Sequence, residues 1–243
     1  MQTSAENHFH GRHVLLTGAG SAGQTGEVIA REFARHGAVM ILVGRKRDQV
    51  EERVSDLVKD GYEAQGFACD LTSEPDVASM AREATALCGA KGLAALINGA
   101  GGFHMSDNVA DSSFDIWQRQ FNTNLVTCYL ATRALLPLLR KGRGAVVNFA
   151  TGSVLPYQKV AGMSAYVAAK GGVTILTRAV AQEEKKNGVR ANAVAPTAIR
   201  TASNLASMGA DGHYVEREEV AQTVFFLCSP AAAAITGEVI RLA

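Results

Sequence analysis

His13-Val14-Leu15-Leu16-Thr17-Gly18-Ala19-Gly20-Ser21-Ala22-Gly23-Gln24-Thr25-Gly26 joins a short apolar run to a glycine-rich turn, and a helical pattern follows from Thr25 to His36. A strand that opens through glycines onto a helix N-terminus lets backbone N–H groups approach an anion, and the helix dipole favours the same charge. Gly18, Gly20, Ser21, Gly23 and Gly26 are therefore candidates for holding the pyrophosphate of a dinucleotide.

The same alternation continues to the end of the chain. Apolar or β-branched runs at His13 to Leu16, Val39 to Val43, Ala64 to Ala68, Ala94 to Ile97, Ala145 to Phe149, Arg190 to Ala195 and Glu238 to Leu242 read as strands. Several are almost continuously apolar, as strands covered on both faces are. Between them, apolar residues recur every three or four positions at Thr25 to His36, Asp48 to Lys59, Glu74 to Leu87, Asp115 to Leu139, Ser164 to Lys186 and Arg217 to Leu227, which predicts helices. No linker, internal repeat or low-complexity tract interrupts the pattern. It predicts a single-domain α/β Rossmann fold over residues 1–243, a doubly wound seven-stranded parallel sheet with helices on both faces.

Composition narrows the function classes. The chain has 243 residues, 47% hydrophobic and 19% charged, with a formal net charge of +1. Its basic residues are scattered, so no basic face is expected for nucleic acid, and no run is long enough to span a bilayer. With no apolar stretch near Met1, the expectation is a cytoplasmic protein. Cys69, Cys88, Cys128 and Cys228 lack metal or redox spacing and read as buried thiols. His8, His10 and His13 alternate near the start without an acidic or thiol cluster; residues 1–10 read as a flexible, solvated terminus, and no metal site is expected.

Residues with chemical potential fall at the carboxyl ends of the predicted strands, where an open α/β sheet binds ligands. After the second strand, Val43-Gly44-Arg45 has no acid to hold the ribose 2′-hydroxyl of NAD, and Arg45 is suited to a 2′-phosphate, so NADP(H) is favoured and NAD(H) is the alternative. Asp70 follows the third strand, as an acceptor for an adenine amine or, with Thr72, as a helix cap. Asn98-Gly99-Ala100-Gly101 follows the fourth, its small residues permitting close passage of a cofactor. Farther on, Tyr166 and Lys170 lie four residues apart, one above the other on a helix. A phenol of pKa about 10 becomes a usable acid or base beside a positive charge, which Lys170 can supply.

These elements, in this order, resemble the classical short-chain dehydrogenase/reductase family over essentially the whole chain. The likeness rests on the glycine loop after Thr17, Asp70-Leu71, Asn98 to Gly101, Asn124 in Asn122-Thr123-Asn124-Leu125, Ser153, Tyr166 with Lys170, and Pro196 to Thr201. It implies a nicotinamide-dependent oxidoreductase acting on a small carbonyl or alcohol. A homotetramer or homodimer built partly through the helix from Ser164 is also implied. By the same resemblance Tyr166 is the general acid and base, Lys170 lowers its pKa and binds the nicotinamide ribose, Ser153 hydrogen-bonds the substrate oxygen, and Asn124 positions a water relayed to Lys170. Leu71, Asn98, Ala100, Gly101, Ile199 and Thr201 join the cofactor contacts.

The chain also departs from the family pattern. Its glycine loop is about two residues longer, Thr197 replaces a glycine, and Asp-Gly-Gly is absent after the last strand. The interval from Asn148 to Tyr166 is about two residues long, so the serine role falls on Ser153 counted from Tyr166 or on Thr151 counted from Asn148; Ser153 is the first choice. Phe103, Met105, Val154, Leu155, Tyr157, Met163 and Met208 are candidates for an apolar pocket wall. Two other readings are a reductase of pterin-type or quinonoid heterocycles, on a weak likeness to dihydropteridine reductases, and an idle NADP(H)-sensing protein.

Overall fold

A computed structural model of the chain describes residues 8–156 and 158–243. The strands β1 (His13–Thr17), β2 (Val39–Gly44), β3 (Ala64–Ala68), β4 (Leu93–Asn98), β5 (Ala145–Phe149), β6 (Arg190–Pro196) and β7 (Val239–Leu242) form one 7-stranded sheet in the order β3-β2-β1-β4-β5-β6-β7. Every pairing is parallel. The helices are α1 (Thr25–Arg35), α2 (Arg47–Lys59), α3 (Glu74–Cys88), α4 (Phe114–Phe121), α5 (Thr127–Gly142), α6 (Ser164–Glu183), α7 (Ala202–Met208) and α8 (Arg217–Cys228).

The period-two alternation of strand side chains sends adjacent apolar residues into separate cores. Leu16, Leu42 and Val147 pack with Phe33 of α1 and Val224 of α8, whereas their neighbours Leu15, Ile41 and Val146 pack with Met80 of α3, Leu135 of α5 and Val180 of α6. This is why the strands read as unbroken apolar runs. Because the chain winds outward from β1 in one direction and from β4 in the other, a crevice opens beyond the carboxyl ends of these two neighbours. The candidate site lies there.

Three features differ from the sequence expectations. Phe9, expected in a solvated terminus, is fully buried, its ring 5.0 Å from Phe33 and 5.2 Å from Phe225, so an aromatic trio ties this segment to α1 and α8 although His10 is exposed. The helix expected from Asp115 to Leu139 is broken in pitch by a π turn at Asn122–Val126, between α4 and α5. The seven-residue α7 was not anticipated.

The four cysteines are free and buried. Among the described residues no group of three or more His, Cys, Asp or Glu is placed to hold a metal ion, and no helix is long and apolar enough to cross a membrane.

Candidate active site

The crevice is a cleft of about 1160 Å³ whose walls come from the ends of β1, β2, β4, β5 and β6 and the segments that follow them. At its floor, Gly18 donates its N–H to the Val43 carbonyl at 2.8 Å and takes φ of 76°. A Cβ on Gly18 would sit 2.7 Å from both the Ala100 nitrogen and the Gly99 oxygen. Only glycine lets the loop after β1 lie so close to the turn after β4. Thr17 locks the two together, its hydroxyl accepting from the Ala100 N–H at 3.2 Å.

Gly20, Ser21 and Gly26 line the cleft as the sequence suggested; Gly23 does not. Its carbonyl accepts from the Ala202 N–H of α7 at 3.0 Å, and the neighbouring Gln24 Oε1 accepts from the Ser203 hydroxyl at 3.0 Å. The long glycine loop therefore reaches across to α7, and both Gln24 and Ser203 face the cleft.

Arg45 and Lys46 mark one end of the cleft, with Asp70, Leu71 and Thr72. Asp70 Oδ1 accepts from the Thr72 hydroxyl at 2.7 Å and the Thr72 N–H at 2.9 Å. These bonds, with a smaller contribution from Arg45, hold the carboxyl below its ordinary pKa and leave it an anionic acceptor. The cap of α3 is Ser73, whose hydroxyl accepts from the Asp76 N–H, so Asp70 does not cap the helix.

Ala100 and Gly101 line the middle of the cleft. Asn98 lies behind it, buried, donating to Asn148 Oδ1 at 2.8 Å and to the Thr132 hydroxyl at 2.9 Å. It joins β4 to β5 and α5. Ile199 and Thr201 line the wall beyond β6, and Thr201 also caps α7 by accepting from the Asn204 N–H at 3.2 Å.

Tyr166 and Lys170, one turn apart on α6, both face the cleft, with the Lys170 Nζ 5.9 Å from the centroid of the phenol ring. Burial raises the Tyr166 pKa, and a hydrogen bond with the Thr151 side chain opposes that rise. Lys170 has a partner of its own. Its amine donates to the Phe149 carbonyl at 2.7 Å, and burial pulls its own pKa down to about 8.

Thr151 lines the cleft; Ser153 does not. Ser153 sits in the short helical turn Gly152–Val154, and its backbone N–H donates to the Thr151 hydroxyl at 3.4 Å. Counting from Asn148 along β5 therefore finds the hydroxyl beside the phenol. Counting back from Tyr166 stops short of it because the extra residues lie in between.

Asn124, in the π turn, is buried and does not line the cleft. Its Oδ1 accepts from the Gly102 N–H at 3.0 Å, and its Nδ2 donates to the Gly102 carbonyl at 2.9 Å. A Cβ on Gly101 would come 2.9 Å from Asn124 Oδ1 and 3.2 Å from Lys170 Nζ, so the three residues meet. A π turn at such a junction matches the frequent occurrence of these irregularities at functional sites.

Of the expected apolar wall, Phe103 lines the cleft, whereas Met105, Val154, Leu155, Met163 and Met208 do not; Tyr157 lies outside the described residues.

A family model described as enoyl-(acyl carrier protein) reductase matches residues 18–242. A 2-(S)-hydroxypropyl-CoM dehydrogenase of Xanthobacter autotrophicus is 32% identical over 250 residues, spanning 95% of this chain and 94% of that protein. The chain belongs to the short-chain dehydrogenase/reductase family. A cyclohexanol dehydrogenase of an Acinetobacter strain is 30% identical over 245 residues, covering 98% of this chain and 95% of the relative. The crystal structure of a short-chain dehydrogenase from Mycobacterium smegmatis matches with a TM-score of 0.84 at 30% identity, covering all of this chain and 96% of that one. The protein is thus an oxidoreductase of a family that uses NAD(P). Its cleft fits such a group: the backbone at Gly18 and Gly20 is bare, the helix N-terminus of α1 opens onto it, and one cleft joins Arg45 to Tyr166.

Proposed function

We propose that the protein is an NADP(H)-dependent oxidoreductase that interconverts a carbonyl and a secondary alcohol, with Tyr166 as the acid and base. One observation carries this reading: Tyr166, Lys170 and the Thr151 hydroxyl open onto the same cleft as the glycine loop and Arg45. When bound, the dinucleotide supplies or takes up the hydride. Tyr166 holds at its phenolic oxygen the proton that a carbonyl oxygen needs on reduction and accepts it back on oxidation. Burial keeps that phenol protonated at neutral pH, the state suited to reduction.

Thr151 takes the serine role, giving the substrate oxygen a second hydrogen bond beside Tyr166. Lys170 binds the nicotinamide ribose, and Asn124 acts through Gly102 as a positioning residue for the segment that faces Tyr166. Arg45 and Lys46 flank the N-terminus of α2, whose cap makes no side-chain hydrogen bond, which favours a 2′-phosphate there. The exposed apolar side chains of Tyr129 on α5 and Ile175 on α6 support assembly into a homodimer or homotetramer. The pterin-type and sensing alternatives gain nothing from a hydroxyl beside Tyr166, which suits a carbonyl oxygen.

The test is oxidation of NADPH and of NADH by the purified protein against a panel of ketones, aldehydes, quinones and dihydropteridines, with Tyr166→Phe as control. Ketone-dependent oxidation that prefers NADPH and disappears in the variant is expected. Turnover of dihydropteridines alone, or of nothing, overturns the reading.

A further inference from the structure

Phe103 is 55% exposed, an unusual state for a phenylalanine on a cleft wall, and its ring meets the Tyr166 ring edge to face at 5.1 Å and 85°. The exposure does not come from a loose segment. On one side the flanking Gly102 is clamped by Asn124 through both backbone groups, at 3.0 and 2.9 Å. On the other, Ser106 donates from its N–H and its hydroxyl to the Gly162 carbonyl, at 2.8 and 3.0 Å. The segment between β4 and α4 is therefore pinned at Gly102 and Ser106, and Phe103 stands at a fixed place against the phenol.

From Phe149 through Thr201 the residues lining the cleft are apolar or neutral apart from Lys170, which is buried on the Phe149 carbonyl, while Asp115 and Arg119 of α4 line the cleft as well. A large apolar side chain fixed in water beside a reacting group is surface that a ligand can cover.

We propose that Phe103 is a specificity-determining residue, the platform on which the carbon skeleton of a ring ketone or ring alcohol packs while its oxygen meets Tyr166. This rests on the carbonyl-reducing reading of the site and adds the class of substrate. A ring bound at the carbonyl carbon lies against Phe103, since Phe103 and Tyr166 are in contact, whereas a three-carbon ketone reaches the phenol without covering Phe103. Discrimination by apolar contact of this kind is worth about 10- to 200-fold.

The experiment measures kcat and KM with NADPH for cyclohexanone, acetone and pyruvate in the wild type, Phe103→Ala, Phe103→Leu and Phe103→Tyr, with Tm and NADPH binding recorded for each. The wild type should prefer cyclohexanone. Phe103→Ala should lower kcat/KM for cyclohexanone about tenfold or more, mainly through KM, leave acetone within about threefold, and keep NADPH binding. Phe103→Tyr should restore the preference and Phe103→Leu restore it in part, which a merely structural role would not require. An unchanged cyclohexanone-to-acetone ratio in both Phe103→Ala and Phe103→Leu, or a wild type that prefers pyruvate, overturns this inference while leaving carbonyl reduction intact. A wild type that binds NADPH yet reduces no ketone overturns both.

Discussion

The Lys170 amine donates to the Phe149 carbonyl at 2.7 Å, which anchors it at the end of β5 although Tyr166 stands one helical turn away. An ammonium that has lost nearly all its water and gained one carbonyl is poorly compensated, and its pKa falls from 10.5 to about 8. The folded state then binds fewer protons than the unfolded one between those two values, so stability rises with pH across that window. The stability is fully present above pH 10.5 and is lost as pH falls to about 8, a change of about 3 kcal/mol at most. Urea unfolding from pH 7.5 to 10.5 should show this rise in the cofactor-free wild type and a flatter profile in Lys170→Met. Equal slopes in the two proteins would show that the amine is not the group responsible.

Thr151 and Ser153 are separable by single substitutions. Thr151→Val keeps the shape and removes the hydroxyl beside Tyr166, so kcat/KM should fall about 100-fold, as for loss of a donor to a developing oxyanion. Ser153→Ala should stay within about threefold, since Ser153 does not reach the cleft. Steady-state kinetics of the pair would reverse the assignment if the larger loss fell on Ser153.

Arg45 governs the choice of cofactor in this account. Arg45→Ala should lower kcat/KM for NADPH at least about tenfold, the worth of one charge-assisted hydrogen bond, and leave NADH nearly unchanged. Parallel losses with both cofactors would mean that the guanidinium does not read the 2′-phosphate.

Gly18→Ala combines a positive φ with a methyl group 2.7 Å from two backbone atoms. The backbone conformation alone costs a non-glycine residue about 1–3 kcal/mol, and the clash adds to it by forcing the turns after β1 and β4 apart. A lowered Tm together with weakened NADPH binding is expected from thermal melts with and without cofactor.

The sequence made the sheet legible because the inner strands, buried on both faces, read as apolar runs bounded by glycine or polar residues; Ala145–Phe149 among them and the half-exposed edge strand Ala64–Ala68 have the bounds expected. Positions held by backbone geometry, such as Gly18, were visible for the same reason, since glycine has few other uses at the end of a strand. What escaped depended on tertiary placement. Phe9 is one aromatic in a polar segment, and its partners Phe33 and Phe225 are remote in sequence. The helix α7 spans fewer than two turns and shows no periodicity, although Thr201 as N-cap was a usable signal. Gly23 and Asn98 belong to a motif whose members divide between lining the cleft and bracing it, and only packing tells them apart. Counting residues could not separate Ser153 from Thr151, because an inserted pair changes the count without changing the chemistry, and only Thr151 lines the cleft.

The account stands on Tyr166 as the proton donor beside the hydride site, and Tyr166→Phe tests that most directly. NADPH oxidation by a ketone that the wild type reduces, measured in single turnover at neutral pH, should fall by about 100-fold or more while NADPH binding and Tm hold. A phenylalanine variant that turns over within a few-fold of the wild type would contradict it.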